Sequence, residues 1–359
     1  MTKVLIVHPD FSRLGGIENY YRKLDPYLKV PHESFGNSRR RGEAGLVSRV
    51  WRILGDYRRF WLKLSDADID IVHLNPSLEP RMFYRESIFL LLARMRGKKT
   101  VVFFRGWSIG FQQQIDSGKG RLFRLLYGKA DVFIVLASSF ADTLRNWGIS
   151  QPVHTEVTII DDDALSGFDL EATLEERLDA HQWQLLFPSR LMKSKGILTA
   201  IEALKYVQQS HPGFGLLVAG DGELADKAQA FAMQLGVQHV NFLGIVSGDE
   251  KSELFRTAHI LCFPTEHNEG FPNTIVEAMA FGLPVVTRPV GGIPDFFISG
   301  EHGYITASTA PEDFAQLVIR IAGDPEHYRQ MARANHQYAQ DHFLASQAAR
   351  RLEQIYSSL

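Results

Sequence analysis

The chain has 359 residues, of which 45% are hydrophobic and 22% charged, and its formal net charge is −2 at pH 7. This length favours two domains over one, and the composition excludes a disordered or fibrous protein. The near-neutral charge gives no basis for bulk binding to nucleic acid. Cys262 is the single cysteine, which excludes an internal disulfide. Its place in an apolar run predicts a packed and unreactive thiol.

The amino-terminal residues lead directly into an apolar run, Lys3–His8, with no signal-peptide pattern before it. Apolar runs such as Ile88–Ala93 are far shorter than the roughly 20 residues that a membrane-spanning helix needs. One unpaired cysteine also fits a reducing compartment. We therefore expect a cytoplasmic protein, either free or peripheral on the inner face of the cell membrane.

The first predicted strand is followed by a glycine loop. Lys3–His8 is typical of a buried parallel strand, and Gly15 and Gly16 precede a helical stretch that starts near Glu18. Glycine has no side chain to block a ligand, so such a loop brings backbone N–H groups close to a phosphate. A purely structural turn explains the two glycines equally well. The turn does not carry the dinucleotide signature G-x-G-x-x-G.

Residues 46–64 are predicted to form an amphipathic helix, and Arg39–Arg41 lie shortly before it. A helical projection separates a mostly basic arc from an apolar and aromatic one. The first holds Arg49, Arg52, Asp56, Arg59 and Lys63; the second holds Leu46, Val50, Trp51, Ile53, Leu54, Tyr57, Phe60, Trp61 and Leu64. Residues 39–64 thus predict a surface for anionic lipid or a lipid-linked acceptor. A core-facing helix with a solvated basic side is an open alternative.

Polar side chains follow the next two predicted strands. Asp70–Asn75 places His73 and Asn75 near the end of one strand, and Thr100–Phe104 ends directly before Arg105. Because the carboxyl ends of strands in an open α/β sheet line the ligand crevice, we expect these three side chains there. An arginine at this position binds a phosphate or an anionic acceptor, but it cannot shuttle a proton.

A change of composition marks the predicted domain boundary. Val157–Ile160 is predicted as the last strand of the first domain, and the acidic turn Asp161–Asp163 is interpreted as solvated rather than metal-binding. Residues 166–182 are acidic and less apolar, as expected of a linker. The predicted organisation is an acceptor-binding domain over 1–165, the linker over 166–182, a second domain over 183–338 and a final helix over 339–359.

The second predicted domain restarts the alternation of strands and helices. Its first strand, Gln184–Phe187, leads to Arg190 and then to Lys195-Gly196 at the start of a helix. A guanidinium fork and a mobile ammonium group together suit a diphosphate. A later strand ends in a turn at Gly244. Ordinary surface cations in a loop are the alternative reading of Arg190 and Lys195.

Two glutamates surround the start of a later helix. The strand His259–Phe263 is followed by a loop containing Glu269, and Glu277 lies within the helix Asn273–Phe281. The N-terminus of a helix favours a phosphate, whereas carboxylates accept hydrogen bonds from hydroxyls. A ligand with a phosphate between hydroxyl-rich groups satisfies both, and a nucleotide-diphosphate sugar has this chemistry.

Residues 269–277, Glu-Gly-Phe-Pro-Asn-Thr-Ile-Val-Glu, resemble the paired-glutamate motif of the retaining glycosyltransferases of family 4, also called glycosyl transferases group 1. The likeness continues through residues 278–280, 282–286 and 291–294, and Arg190 with Lys195-Gly196 matches a second motif. The resemblance implies the GT-B fold, in which two Rossmann-like, doubly wound α/β domains face each other across a cleft. It also implies that the final helix crosses back to the N-terminal domain.

The resemblance implies roles for the matching residues. Glu277 binds the ribose, Glu269 binds hydroxyls of the transferred sugar, and Arg190 with Lys195 holds the diphosphate. Relatives often carry a histidine where Arg105 stands, so this chain departs from the family at a position near the donor sugar. The remaining donor-binding positions are Gly15, Gly16, Gly244, Gly270, Phe271, Pro272, Asn273 and Thr274.

The expected activity is retaining transfer of a sugar from a UDP- or GDP-linked donor to a hydroxyl of a glycan or lipid-linked acceptor, without a metal or other cofactor. Synthesis of cell-envelope polysaccharide, lipopolysaccharide or glycolipid is the expected role. Three alternatives stay open: a non-catalytic homologue that binds lipid or a partner, a nucleotide-sugar epimerase, and a glycosidase. A glycosidase also uses two carboxylates, but it has no need of the Arg190 and Lys195 pair.

Overall fold

The computed structural model describes residues 2–8, 16–37, 46–266 and 270–359, except for the side chains of 46–49. The chain divides into two compact units. The first comprises Met1–Val157 together with Ala345–Leu359, and the second comprises Thr158–Leu344.

The first unit contains a six-stranded parallel sheet and a separate two-stranded pair. Its strands are β1 (Lys3–His8), β2 (His32–Gly36), β3 (Ile69–Leu74), β4 (Ser77–Leu78), β5 (Lys99–Phe103), β6 (Gly106–Trp107), β7 (Val132–Val135) and β8 (Val153–Thr155). Its first six helices are α1 (Gly16–Leu24), α2 (Leu46–Lys63), α3 (Pro80–Met95), α4 (Ile109–Gln114), α5 (Gly120–Tyr127) and α6 (Ser138–Asn146). The sheet order is β2-β1-β3-β5-β7-β8, so the direction of chain progression reverses beside β1. Such a reversal opens a crevice at the carboxyl ends of β1 and β3.

The second unit repeats this plan. Its strands are β9 (Gln184–Phe187), β10 (Gly215–Ala219), β11 (Val240–Gly244), β12 (Ile260–Phe263), β13 (Val285–Thr287) and β14 (Gly303–Ile305). Its helices are α7 (Leu170–Asp179), α8 (Ile197–Gln208), α9 (Ala225–Leu235), α10 (Gly248–Thr257), α11 (Asn273–Ala280), α12 (Pro311–Ala322) and α13 (Pro325–His342). The parallel order β11-β10-β9-β12-β13-β14 places the reversal between β9 and β12. Both strands are apolar and buried, as a sheet covered on both faces requires.

The last helix, α14 (Ala345–Ser357), belongs to the first unit. Arg351 of this helix forms a double hydrogen bond to the buried carboxylate of Glu156. The hydroxyl of Tyr356 lies 2.6 Å from Nδ1 of His73 on β3. The helix begins at Ala345 rather than at 339, because α13 extends to His342.

The chain around the boundary differs from the sequence-based prediction. The last strand of the first unit is β8, not Val157–Ile160, because the chain leaves the sheet after Glu156 and Ile160 forms only an isolated bridge to Leu344. The boundary falls after Val157 rather than at 165. Residues 166–182 lie inside the second unit, and their helix α7 buries Leu174 and Arg177.

Helix α2 has its predicted extent, but its faces differ from the helical projection. Asp56 is buried, because Arg52 and Arg59 donate hydrogen bonds to its carboxylate at 2.9 and 2.5 Å. Trp51 and Leu54, from the predicted apolar arc, are 71% and 53% exposed. Arg39–Arg41 lie outside the described residues. No helix in the part of the chain that the structure describes is both long and apolar enough to cross a membrane.

Candidate functional site

The loops that follow β9 and β12 meet at the carboxyl edge of the second sheet. The backbone N–H of Glu266 donates to the carbonyl of Ser194 at 2.8 Å, and the Thr265 hydroxyl also contacts that carbonyl at 3.3 Å. These loops therefore flank the point where the strand order reverses, which is where open α/β sheets bind ligands.

Arg190 lies in the loop after β9 and is exposed. This loop packs against the glycine turn after β10, where the N–H of Leu191 donates to the carbonyl of Asp221 at 3.0 Å. A Cβ atom at Gly220 would overlap the carbonyl of Ser189, and φ of Gly220 is +151°. Only glycine fits this close approach, so the turn supports the segment that carries Arg190.

Lys195 ends a short 3₁₀ turn, Lys193–Lys195, and is only 7% exposed. Its Nζ lies 5.8 Å from the centroid of the Phe263 ring at the end of β12. Gly196 follows with φ of +83°, and a Cβ atom there would overlap the carbonyl of Pro264. The two glycine-dependent contacts thus hold Arg190 and Lys195 at the same edge of the sheet.

The N-terminus of α11 lies against the loop that follows β9. Within the described residues no side chain caps the helix, so the N–H groups of Asn273 and Thr274 are available to an anion. The Thr274 hydroxyl donates to the carbonyl of Pro188 at 3.1 Å, which ties α11 to the loop after β9. Asn273 is exposed and accepts a hydrogen bond from the Thr158 hydroxyl.

The remaining residues of this motif support the loop. Phe271 is buried and stacks on Phe296 with ring centroids 4.4 Å apart. The carbonyl of Gly270 accepts from the N–H of Gly292 at 3.1 Å, and Pro272 immediately precedes α11. Gly270, Phe271 and Pro272 therefore shape the entry to α11 through packing and backbone bonds.

Glu277 lies in the middle of α11 and is paired with Lys251 of α10. The Lys251 ammonium lies 2.8 Å from Oε1 and 2.6 Å from Oε2, and the Glu277 side chain is only 13% exposed. Lys251 was not predicted from the sequence, because a single lysine on a helix surface carries no motif.

Arg177 connects the two helices that carry this ion pair. Its guanidinium donates to the carbonyls of Phe255 and Arg256 at the end of α10, at 2.8 and 3.1 Å. It also donates to the carbonyls of Phe281 and Gly282 after α11, at 3.0 and 3.5 Å. One buried cation thus satisfies the unpaired carbonyls at two helix C-termini and fixes α10 relative to α11.

Arg105 lies at the carboxyl edge of the sheet in the first unit, shortly after β5. Its guanidinium stacks on Tyr20, 3.8 Å from the ring centroid, and lies 4.6 Å from that of Phe103. Among the described residues its buried Nε and Nη1 meet no hydrogen-bond acceptor of good geometry, although the guanidinium interacts with the nearby Tyr20 hydroxyl. Unpaired buried donors are costly, so this arrangement is poised for an anionic ligand.

His73 and Asn75 do not line a crevice, contrary to the sequence-based expectation. His73 is fully buried and Asn75 is 3% exposed. The Tyr21 hydroxyl donates to Asn75 at 2.8 Å and lies 3.3 Å from His73. Burial and the nearby charge of Arg105 lower the pKa of His73 to about 3, so the ring is neutral at physiological pH. Both side chains therefore belong to a buried structural network.

The structure describes some of the remaining predicted site residues but not all of them. Gly16 is exposed as the first residue of α1, and Gly244 is exposed at the end of β11 with φ of +69°. Gly15 and Glu269 lie outside the described residues. Burial raises the pKa of Cys262 to about 12, as expected of a packed thiol.

The acidic turn before the second sheet has a structural function. Asp161 caps the short helical turn Asp162–Leu165 by accepting a hydrogen bond from the N–H of Asp163. Within residues 2–8, 16–37, 46–266 and 270–359, no three His, Cys, Asp or Glu side chains are grouped so that they could hold a metal ion.

Residues 173–338 match the family of glycosyl transferases group 1. An uncharacterised glycosyltransferase of Methanocaldococcus jannaschii is 32% identical over 166 residues, which are 44% of this chain and 42% of that protein. Glycogen synthase of Mycobacterium tuberculosis is 28% identical over 271 residues, which are 70% of this chain and 59% of the synthase. The chain thus spans less than two thirds of the length of either relative.

Solved structures extend the likeness to the whole chain. Anabaena HepE in complex with UDP-glucose superposes with a TM-score of 0.74 over 100% of both chains, at 18% sequence identity. This likeness shows the fold, which is the two-domain α/β GT-B fold predicted from the sequence. Residues 173–338 are thus similar to the glycosyl transferases group 1, and the fold of the chain is GT-B.

Proposed function

We propose that the protein is a retaining glycosyltransferase that moves a sugar from a nucleotide-diphosphate donor to an acceptor hydroxyl. One observation carries the proposal: the loop that carries Arg190 and Lys195 and the N-terminus of α11, the helix that contains Glu277, lie together beside the strand reversal of the second sheet. Two cations and a helix N-terminus suit a diphosphate, and a carboxylate suits the hydroxyls of a ribose. The complex of HepE with UDP-glucose adds support from a protein of the same fold.

In the proposed mechanism the second unit binds the donor and the first unit binds the acceptor. The leaving diphosphate gains negative charge as the glycosidic bond breaks, and Arg190 and Lys195 stabilise that charge. No metal is needed, because these cations and the α11 dipole supply the positive field. The acceptor attacks from the side on which the diphosphate departs, and a departing phosphate oxygen takes the proton. Glu269 binds hydroxyls of the transferred sugar.

The direct test is transfer from UDP-, GDP- and ADP-linked sugars to a panel of acceptors in the presence of EDTA. Proton NMR of the product then gives its anomeric configuration relative to the donor. Retained configuration with EDTA present supports the mechanism. Inverted configuration, or activity that returns only with added metal, contradicts it. Conversion of the donor sugar without an acceptor would instead favour an epimerase.

Arg105 is proposed to bind a negatively charged group, a phosphate or carboxylate, of the reacting complex. We expect Arg105→Met to lower kcat/KM about a hundredfold, because an unpaired guanidinium fork is lost from the first unit. The free energy of unfolding of this variant should be unchanged or higher than that of the wild type, since methionine leaves no buried hydrogen-bond donor unsatisfied. Chemical denaturation and kinetics of the same preparation measure both effects. A less stable variant with normal kinetics would show that Arg105 only supports the fold.

Helices α2 and α3 present the proposed membrane-facing surface. Trp51 and Leu54 on α2 are exposed, and α3 adds an exposed stripe at helical spacing. The stripe consists of Tyr84, Ile88, Leu91 and Met95, and the exposed basic side chains on the two helices include Arg58, Arg59, Arg81 and Arg94. Aromatic and aliphatic groups beside basic ones suit an anionic bilayer, and a peripheral position on the inner face of the membrane fits a lipid-linked acceptor in cell-envelope synthesis.

Sedimentation with phosphatidylglycerol vesicles at low salt tests this surface. We expect the wild type to bind and the double variant Trp51→Ser, Leu91→Ser to lose most of the binding, because both exposed side chains would insert below the headgroups. Met233→Ser is the matched control, since Met233 is 80% exposed on α9 of the second unit. Equal sedimentation of all three proteins, or no binding by the wild type, would refute the proposal that this surface binds membranes.

A further inference from the structure

The ion pair between Lys251 and Glu277 suggests a role for a lysine outside every recognised motif. The Lys251 ammonium contacts both carboxylate oxygens, at 2.8 and 2.6 Å. The Glu277 side chain is 13% exposed and that of Lys251 is 33% exposed. The pair therefore lies in a partly buried setting, where charge is screened less than on an open surface.

The geometry bears on how Glu277 can accept hydrogen bonds from a ribose. A carboxylate has about four acceptor positions, so one ammonium group leaves other positions free for hydroxyl donors. Oε2 of Glu277 is buried, so we assign these hydrogen bonds to Oε1. A charge-assisted hydrogen bond is stronger than a neutral one, and the ammonium group of Lys251 lies directly against the carboxylate. The contact with Lys251 also restricts the rotamers of Glu277, so less entropy is lost when a ribose binds.

The helices that carry Lys251 and Glu277 are also held in place by contacts other than this ion pair. Lys251 is on α10 and Glu277 is on α11, and the Arg177 guanidinium bonds to the ends of both helices. The separation of the two helices is therefore fixed independently of the ion pair. A substitution of Lys251 should consequently change the contacts and rotamers of the Glu277 side chain without displacing α11.

We propose that Lys251 is a positioning residue that prepares Glu277 for the 2′- and 3′-hydroxyls of the nucleotide and so favours ribonucleotides over deoxyribonucleotides. This inference rests on the proposed function, because it takes Glu277 as the ribose acceptor. It assigns no contact between Lys251 and the donor. The effect of Lys251 must therefore depend on Glu277 and on the hydroxyls of the sugar.

Calorimetric titration of the full chain with UDP, GDP and their 2′-deoxy analogues tests the proposal. For the ribonucleotide that binds the wild type, we expect Lys251→Met to raise Kd about five- to tenfold, as for loss of a charged hydrogen-bond partner. The same substitution should raise the Kd of the 2′-deoxy analogue by a smaller factor, because only its 3′-hydroxyl remains for Glu277. Lys251→Arg should restore most of the affinity, since it keeps a cation against the carboxylate.

The double variant Lys251→Met, Glu277→Gln separates this role from a general effect of charge. If Lys251 acts through Glu277, its substitution adds nothing once the carboxylate is gone. Equal losses for the ribose and deoxyribose forms, additive losses in the double variant, or tighter binding by Lys251→Met would each overturn the proposal. Absence of binding to the wild type would refute the proposed donor site as well, and thus marks a different failure.

Discussion

Arg190→Ala and Lys195→Ala are each expected to lower turnover by about 10²–10³-fold, the usual effect of removing one group that stabilises transition-state charge. Both cations lie after β9, where Gly220 and Gly196 allow the close backbone approaches that support them. The lost interaction grows as the diphosphate departs, so turnover at saturating donor should fall more than donor affinity. Steady-state kinetics with each variant measure this difference.

Lys193→Ala is the matched control, because Lys193 occupies the same 3₁₀ turn but is exposed. We expect it to retain most of the activity. Circular dichroism and thermal unfolding should show all three variants folded, since Arg190 is exposed and the glycine turns remain. Near-normal turnover by both Arg190→Ala and Lys195→Ala would contradict the assignment of these cations to the diphosphate.

Arg177→Met is expected to cause the largest loss of stability, about 3–5 kcal/mol in the free energy of unfolding. The guanidinium donates to four backbone carbonyls at the ends of α10 and α11. Methionine fills much of the volume but leaves these buried carbonyls without their donor. Urea denaturation followed by circular dichroism gives the difference.

Arg333→Met provides the comparison for this large effect. Arg333 pairs with Glu171 of α7 at 2.7 Å, but its side chain is 48% exposed. An exposed pair of this kind contributes about 0–1 kcal/mol, so the control should unfold almost like the wild type. Equal destabilisation by the two substitutions would contradict the capping role of Arg177. Because α10 and α11 carry Lys251 and Glu277, Arg177→Met should also weaken nucleotide binding.

The sequence predicted the features that repeat or carry a motif. Apolar runs separated by turns located the buried strands β9 and β12. Short motifs singled out Arg190, Lys195 and Glu277, whose functions stay predictions. These signals are local, because the period of a strand and the glycines of a turn are visible within a few neighbouring residues.

The errors arose where a contact joins residues that are distant in the chain. Lys251 and Glu277 are separated by 26 positions, and Arg177 and Phe281 by 104. Nothing local marks Arg177 as a buried cap, so the acidic composition around it suggested a linker. His73 is similar, since its hydrogen bond to Tyr356 spans 283 positions and depends on the return of α14 to the first unit.

The helix α2 shows a different kind of error. The helical projection places Asp56 in the mostly basic arc, yet Asp56 is buried between Arg52 and Arg59. Arg52 lies four positions before Asp56 and Arg59 three after, which is the spacing at which helical side chains meet. The two pairs neutralise the carboxylate, and this allows Asp56 to be buried although it belongs to the mostly basic arc.

Thermal unfolding with UDP, GDP, ADP, dTDP and CMP tests the central claim most directly. A nucleotide at about 100 times its Kd stabilises the native protein by about 2.7 kcal/mol, a readily measured shift in Tm. We expect at least one nucleoside diphosphate to raise the Tm of the wild type but not that of Arg190→Ala or Lys195→Ala. No shift with any of the nucleotides, or the same shift in the wild type and both variants, would contradict it.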